Sequence, residues 1–419
     1  MIIRIRRFLR SPLFPIFMIV FVDVLGFAIT IPVLPLYVQG EFGATAVQIT
    51  SLSTVFFSAQ LIATPQLGRL SDRIGRRPVL IISQFGSFLA LLLSGLAPGL
   101  AYLYVARIID GLTGGNISVA QAYLSDVTDR QNRTSGMGII NVAFNSSLLI
   151  GPAFGGLVAA RFGPRVPFLL AAALALFTIA LSYFLLPEPE KREPKARQTA
   201  QTDPLPRGNG RKLTAVLLLP GMFLLLTIAL ADRVGFMIYQ PTWVLWAETL
   251  LFSGRDPAFV QQAVGWIMTL IGASGIATQV WLVGPLTRKI GEKRMVFTGT
   301  LMRGTAWGLM ALFPIVGPTL LAAPLIGIGG AIGLPALTSL VTYVAPPDQQ
   351  GYAIGLLQAS KGIGRIVGSM IGGLVFQLLS PSATLSVAAM ISFALLLAII
   401  RLPEESSAKM VCAPTNKTL

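Results

Sequence analysis

Histidine is absent from this 419-residue chain, and cysteine occurs once, as Cys412 in a polar tail. Imidazole catalysis and histidine proton relays are therefore excluded, and disulfide frameworks and thiolate metal clusters with them. Charge is scarce: 12% of the residues, against about a quarter in a soluble protein. Acids are the scarcer sign, with 17 Asp and Glu against 32 Lys and Arg, a formal net charge of +15. What fills the chain is apolar, with 54% hydrophobic residues and a mean hydropathy of +0.73. Apolar runs recur from Leu13 to Arg401, many reaching the roughly 20 residues that a helix needs to span a bilayer. The composition describes an all-α, multi-pass membrane protein.

The excess of positive charge does not point to nucleic acid, because of where it sits. Basic residues collect at Arg4, Arg6, Arg7 and Arg10, at Arg69 to Arg77, and at Arg130 and Arg133. They return between Lys191 and Lys212, between Arg288 and Arg294, and in the C-terminal tail. The alternate loops hold few, chiefly Arg161, Arg165 and Arg255. This is the positive-inside pattern, so both termini and the central loop are expected in the cytoplasm, beside anionic lipid. The basic, apolar N-terminus looks like a signal peptide, but no small-residue cleavage site follows. It is read as the first membrane helix.

Twelve spans are expected, near 13–38, 47–67, 79–97, 101–122, 136–160 and 167–186, then 215–246, 262–283, 295–314, 319–342, 352–378 and 383–401. They form a six-helix bundle over 1–186 and a second over 213–402. A polar linker at 187–212 joins the two bundles, and a polar tail covers 403–419. The halves repeat one another. Asp23-Val-Leu-Gly-Phe returns as Asp232-Arg-Val-Gly-Phe, Gly68 to Arg77 as Gly284 to Lys293, and Gly151-Pro-Ala-Phe-Gly-Gly as Gly368-Ser-Met-Ile-Gly-Gly. An apolar chain with two similar halves suits a transporter that handles its substrate between them. Pro32, Pro35 and Pro241 fall near equivalent span ends, where they bend a helix or simply end it.

A charge within hydrocarbon costs about 2.5–3.5 kcal/mol, so those retained there are the candidate site. The acids are Asp23, Asp110 and Asp232; the bases are Arg107, Arg233, Arg303, Lys361 and Arg365. A lone acid in a low-dielectric wall can take up and release a proton near neutral pH. Asp23, halfway along its span, is the first candidate for the proton or substrate site, and Asp232 repeats it. A structural partnership with a buried arginine is the alternative for both, with Arg233 beside Asp232. Arg107 and Asp110, three apart, can pair on one helix face, as a switch or as a static pair. Lys361 and Arg365 share a face of span eleven. The surplus of bases favours an anionic substrate, unless these side chains snorkel to the cytoplasmic vestibule.

The most specific motif is the cytoplasmic loop with Gly68, Asp72, Arg73, Gly75, Arg76 and Arg77. Its glycines suit a tight turn and close helix packing. Asp72 suits the N-terminus of a neighbouring helix, and the arginines can meet Asp126 or Asp129. With Tyr104-Val-Ala-Arg107-Ile-Ile-Asp110-Gly111 and Gly151-Pro152-Ala-Phe-Gly155-Gly156, this loop resembles the signatures of the major facilitator superfamily. Within it the chain is similar to the drug/proton antiporters related to bacterial tetracycline efflux proteins. The resemblance implies alternating access by rocking halves, a latch at Asp72, proton transfer near Arg107, and an antiporter signature at Gly151 to Gly156.

That family's tetracycline exporters carry an acid in helix nine where this chain has Arg303, and the charges at Asp110, Asp232 and Arg233 depart from them as well. Tetracycline itself is therefore not carried over. The expected function is proton-coupled export of a small organic molecule. Alternatives are import of a small organic anion, such as a siderophore or acidic metabolite, and a non-transporting receptor or scaffold. No nucleophile–base set suggests an enzyme, and neither metal nor cofactor is expected. The partners are substrate, protons and lipid, for a monomer in a bacterial inner membrane.

Overall fold

The computed structural model describes residues 13–114, 116–127, 133–188, 216, 219, 221–346 and 349–402. The basic N-terminus, Asp129, most of the linker and the tail lie outside these residues. Fourteen helices follow one another among the described residues, with no strand. In chain order they are α1 (Leu13–Thr30), α2 (Val33–Phe42), α3 (Ala46–Ile74), α4 (Arg76–Gly95), α5 (Leu100–Thr113), α6 (Asn116–Val127), α7 (Arg133–Phe162) and α8 (Val166–Leu185). Then come α9 (Met222–Trp246), α10 (Pro257–Ala277), α11 (Val283–Leu312), α12 (Val316–Val344), α13 (Gln350–Leu378) and α14 (Pro381–Ile400). Five-residue π turns follow α9, at Ala247–Leu251, and α10, at Thr278–Leu282.

The breaks have local causes. Pro32 falls between α1 and α2, which meet at a bend of 41°. Gly43, at φ 59°, ends α2, and Thr45 starts α3 with a reciprocal cap. The Thr45 hydroxyl accepts from the Gln48 N–H at 3.3 Å, and the Gln48 side chain accepts from the Thr45 N–H at 2.9 Å. Only Gly75 separates α3 from α4, at φ 110° and ψ 160°, a conformation that glycine adopts without a Cβ penalty. Its repeat mate Gly291 takes φ 75° and ψ 165° inside α11, breaking that helix at the same point of the second half.

Eight helices among the described residues are long and apolar enough to cross a membrane, or nine with α1 and α2 as one bent span. The stretch Pro257–Leu312 enters this number once although it runs 56 residues, far more than one crossing needs. α13 is not among the eight; it carries Lys361 and Arg365. The fold is all-α and membrane-spanning, as expected.

By packing, the chain forms two compact units. One comprises Met1–Glu193, Pro241–Gly272 and Gly372–Pro381; the other comprises Pro194–Gln240, Ala273–Ile371 and Ser382–Leu419. In the first, α1 packs on α7 and α8, α4 on α5 and α8, and α3 on α5. Ile16, Val20, Val79, Tyr123 and Leu124 fill one core layer, and Val33, Tyr37, Leu52, Leu103 and Phe168 another. In the second, α11 lies along α12, over a core of Met222, Leu225, Met295, Val296, Ile332, Leu340 and Ile399. Large apolar side chains also face outward, among them Phe184, Trp281, Leu312 and Leu378, as lipid-facing helices require. Arg165, an exception to the charge pattern, donates to Glu41 at 2.9 Å. That hydrogen bond holds its guanidinium above the usual arginine range.

Candidate functional site

The first unit buries its charges around α5. Arg107 and Asp110, one turn apart and both buried, meet at 3.5 Å from Nη1 to Oδ2. Ser87 of α4 donates to the other Asp110 oxygen at 3.2 Å. The Arg107 guanidinium lies over the Phe56 ring of α3, 5.9 Å from its centroid, and its Nη2 is buried without a hydrogen-bond partner. Close backbone contact makes this possible. A Cβ on Gly111 would meet the Phe56 carbonyl oxygen at 2.5 Å, and Gln60 of α3 donates to the Gly114 carbonyl at 2.8 Å. Asp23 sits half-buried in α1 between the buried Val22 and Val24.

The second unit gathers charge from three helices. Asp232 of α9 accepts from Nη2 of Arg303 on α11, and both side chains are buried. Sequence proximity suggested Arg233 as the partner, but adjacent residues on a helix point about 100° apart. Arg233 instead lies over Phe236, 5.5 Å from the ring centroid, with its Nε buried and without a hydrogen-bond partner. Lys361 of α13 is buried and donates to Thr338 Oγ1 at 3.4 Å. Glycines admit these stems: a Cβ on Gly364 would meet Arg233 Cβ at 2.8 Å, and one on Gly329 would meet Arg303 Cγ at 2.9 Å.

At the loop between α3 and α4, Arg76 is the hub. Its guanidinium pairs with Asp72 at 2.7 Å and Asp126 at 2.9 Å, and donates to Ser71 Oγ at 2.6 Å. The meeting with Asp126 was expected. The role expected for Asp72, against a helix N-terminus, belongs to another acid. Glu188, just past α8, accepts from the Arg76 N–H at 2.7 Å and the Arg77 N–H at 3.0 Å, capping α4. The sequence places Glu188 in a polar linker, and nothing local marks it as a cap. Pro187 beside it accepts from the Tyr123 hydroxyl at 2.9 Å. Arg77 donates to the Tyr183 carbonyl near the end of α8, and Arg73 is exposed. The turn is made by Gly75 alone; Gly68 lies inside α3 with open space where a Cβ would be.

Gly151 to Gly156 packs on two sides at backbone distance. Cβ atoms on Gly151 and Gly155 would run into Ala28 and the Ile29 carbonyl of α1. On the other side a Cβ on Gly156 would strike the Gln261 carbonyl of α10, and one on Gly265 would meet the Pro152 carbonyl at 2.6 Å. Such approach is how membrane helices associate where apolar burial supplies no driving force.

Two matches to a family model, described as Major Facilitator Superfamily, cover residues 16–260 and 225–417. The chain is a member of the major facilitator superfamily. Among relatives of this superfamily member, the tetracycline resistance protein of class D from Salmonella ordonez is 30% identical over 370 residues, 87% of this chain and 89% of the relative. Multidrug resistance protein 2 of Bacillus subtilis is 29% identical, over 86% and 87%. The crystal structure of the nucleoside transporter NupG matches with a TM-score of 0.74 at 15% identity, covering 94% of this chain and all of that one. That of the human organic anion transporter MFSD10 matches with a TM-score of 0.63 at 20% identity, over 92% and 98%. At these identities the two structures speak for the major facilitator fold alone.

Proposed function

We propose that this major facilitator protein is a secondary transporter that exports a drug-like small organic molecule in exchange for protons. The observation that carries the reading is the match over nearly the whole length to tetracycline and multidrug resistance proteins. In this reading twelve spans in two six-helix bundles rock about a substrate path, and the loop around Arg76 latches the cytoplasmic side. Asp23 and Asp110 carry the protons. Separating Arg107 from Asp110 uncovers two opposite charges in low dielectric, and a proton taken up by Asp110 removes one of them. The contact length of 3.5 Å and the spare Nη2 donor of Arg107 support a pair that changes partners. Proton and substrate must prefer different conformations, because a ligand shifts an equilibrium only by its differential affinity.

The test uses everted membrane vesicles loaded with a pH-sensitive dye, energised, and challenged with cationic, neutral and anionic drugs. Proton release evoked by a compound in the wild type, and reduced at least about tenfold in Asp23→Asn, is the expected outcome. No release with any compound, from vesicles containing the protein, would overturn the export reading and leave import as the next assay.

A further inference from the structure

The second unit keeps more positive charge at membrane depth than its own carboxylate can balance. Asp232 is engaged by Arg303, yet Arg233 and Lys361 also lie within electrostatic reach of it. Arg233 feels Arg365 and Arg303 as like charges, and Lys361 feels Arg233 and Arg365. Four cations and one carboxylate of this unit thus share a small region built from α9, α11 and α13. The backbone geometry holds them there. Gly364 lies against Leu230 and the Arg233 stem, and Gly368 against Val234 and Met237, so α13 packs on α9 at backbone distance beside these charges.

Like charges at this depth repel one another and cost solvation energy. A structural ion pair needs one cation, and Arg303 supplies it. Arg233 brings a planar, multidentate donor whose Nε is buried without a hydrogen-bond partner. The Lys361 ammonium makes a 3.4 Å contact to a hydroxyl, which leaves donor capacity. A guanidinium and an ammonium within electrostatic reach of one another suit the oxygens of a carboxylate, sulfonate or phosphate.

We propose that Arg233, Lys361 and Arg365, set beside the Asp232–Arg303 pair, form a subsite for the anionic group of the transported molecule. The subsite rests on the transport reading above and names its substrate class: small organic anions. Asp232 holds Arg303 in place and offsets part of the repulsion within the cluster, while the other three cations address the ligand.

The experiment is thermal unfolding of the purified full-length protein at pH 7 and fixed ionic strength, followed by tryptophan fluorescence. The probes are 2-naphthoate and its neutral counterpart 2-naphthamide. Naphthoate is expected to raise Tm by about 2–4 °C at saturation, and naphthamide to leave it unchanged. The shift should vanish in Lys361→Gln/Arg365→Gln, and in the single variant Lys361→Gln should it alone fold. Without ligand, Lys361→Gln should melt higher than wild type, because one repelling charge is gone; a purely structural lysine would lower Tm. Equal stabilisation by both probes, a shift that survives in the variants, or a lower Tm for ligand-free Lys361→Gln overturns the proposal. Stabilisation by naphthoate with no proton release in vesicles keeps the subsite and removes the export reading. Proton release without such stabilisation does the reverse.

Discussion

Arg77 and Lys293 hold equivalent positions in the repeated loop, and each directs its charge at the carbonyl end of the last long helix of its half. Arg77 donates to the Tyr183 carbonyl in the final turn of α8. Lys293 donates to the Ile400 carbonyl at 3.0 Å, where α14 ends, and to the Leu402 carbonyl beyond it. Cations are favoured at a helix C-terminus, where carbonyl groups lack intrahelical partners. The neighbouring position is reversed in sign. Arg76 meets Asp126 of α6, whereas Glu292 accepts from Tyr343 and Ser339 of α12 at 3.1 and 3.4 Å.

Removing either cation should therefore loosen its own half. Arg77→Ala and Lys293→Ala are each expected to cost about 1 kcal/mol, seen as a lower Tm. Lys293→Arg should restore most of the loss, because it keeps the charge. A Tm unchanged in both alanine variants would show that these helix ends need no counter-charge.

Glu188 makes a stricter demand. Its carboxylate takes two successive N–H groups of α4, and a Cβ on Gly75 would collide with it. Glu188→Ala should cost about 1–2 kcal/mol as a lost cap. Gly75→Ala should cost more, because it adds a strained positive φ to the collision. If Gly75→Ala melts no lower than Glu188→Ala, the turn does not need glycine.

Asp72 separates stability from transport. Its side chain is 51% exposed in its pair with Arg76, and exposed pairs contribute about 0–1 kcal/mol. Asp72→Asn should thus leave insertion and Tm nearly unchanged while reducing flux severalfold. Normal flux in that variant would remove the latch role.

Two glycines read alike in sequence but not in space. Gly155→Ala drives a methyl group into the Ile29 carbonyl of α1, so it should part α1 from α7 and abolish transport at normal expression. Gly68→Ala meets open space within α3 and should be neutral or slightly stabilising. Flux and Tm of the two variants side by side provide the check.

What could be read from the sequence was what local rules govern. Apolar run lengths gave the helices, and the charges left inside those runs gave Asp232, Arg303 and Lys361 as candidates. The Arg107–Asp110 pair was legible because three residues make nearly one helical turn. Partners from distant helices were not. Glu188 reaches α4 from the end of α8, Ser87 joins Asp110 from another helix, and Arg303 rather than Arg233 meets Asp232. Each depends on helix packing, which residue spacing within one helix does not encode.

The Asp232–Arg303 pair offers the sharpest test of how the second unit tolerates its charge. Asp232→Asn removes the carboxylate and leaves Arg303 buried with Arg233 as a like-charged neighbour. Breaking a buried pair in this way costs about 3–5 kcal/mol. Arg303→Gln removes a cation from a crowded region, so its loss of pairing is offset in part by reduced repulsion from Arg233. It should be the milder of the two. The double variant Asp232→Asn/Arg303→Gln should recover much of the loss, with an interaction energy of about 1–3 kcal/mol across the cycle. Tm values of the three variants supply the measurement. If Asp232→Asn is as stable as wild type, the other cations do not bear on Arg303, and the carboxylate is held for transport rather than for the fold.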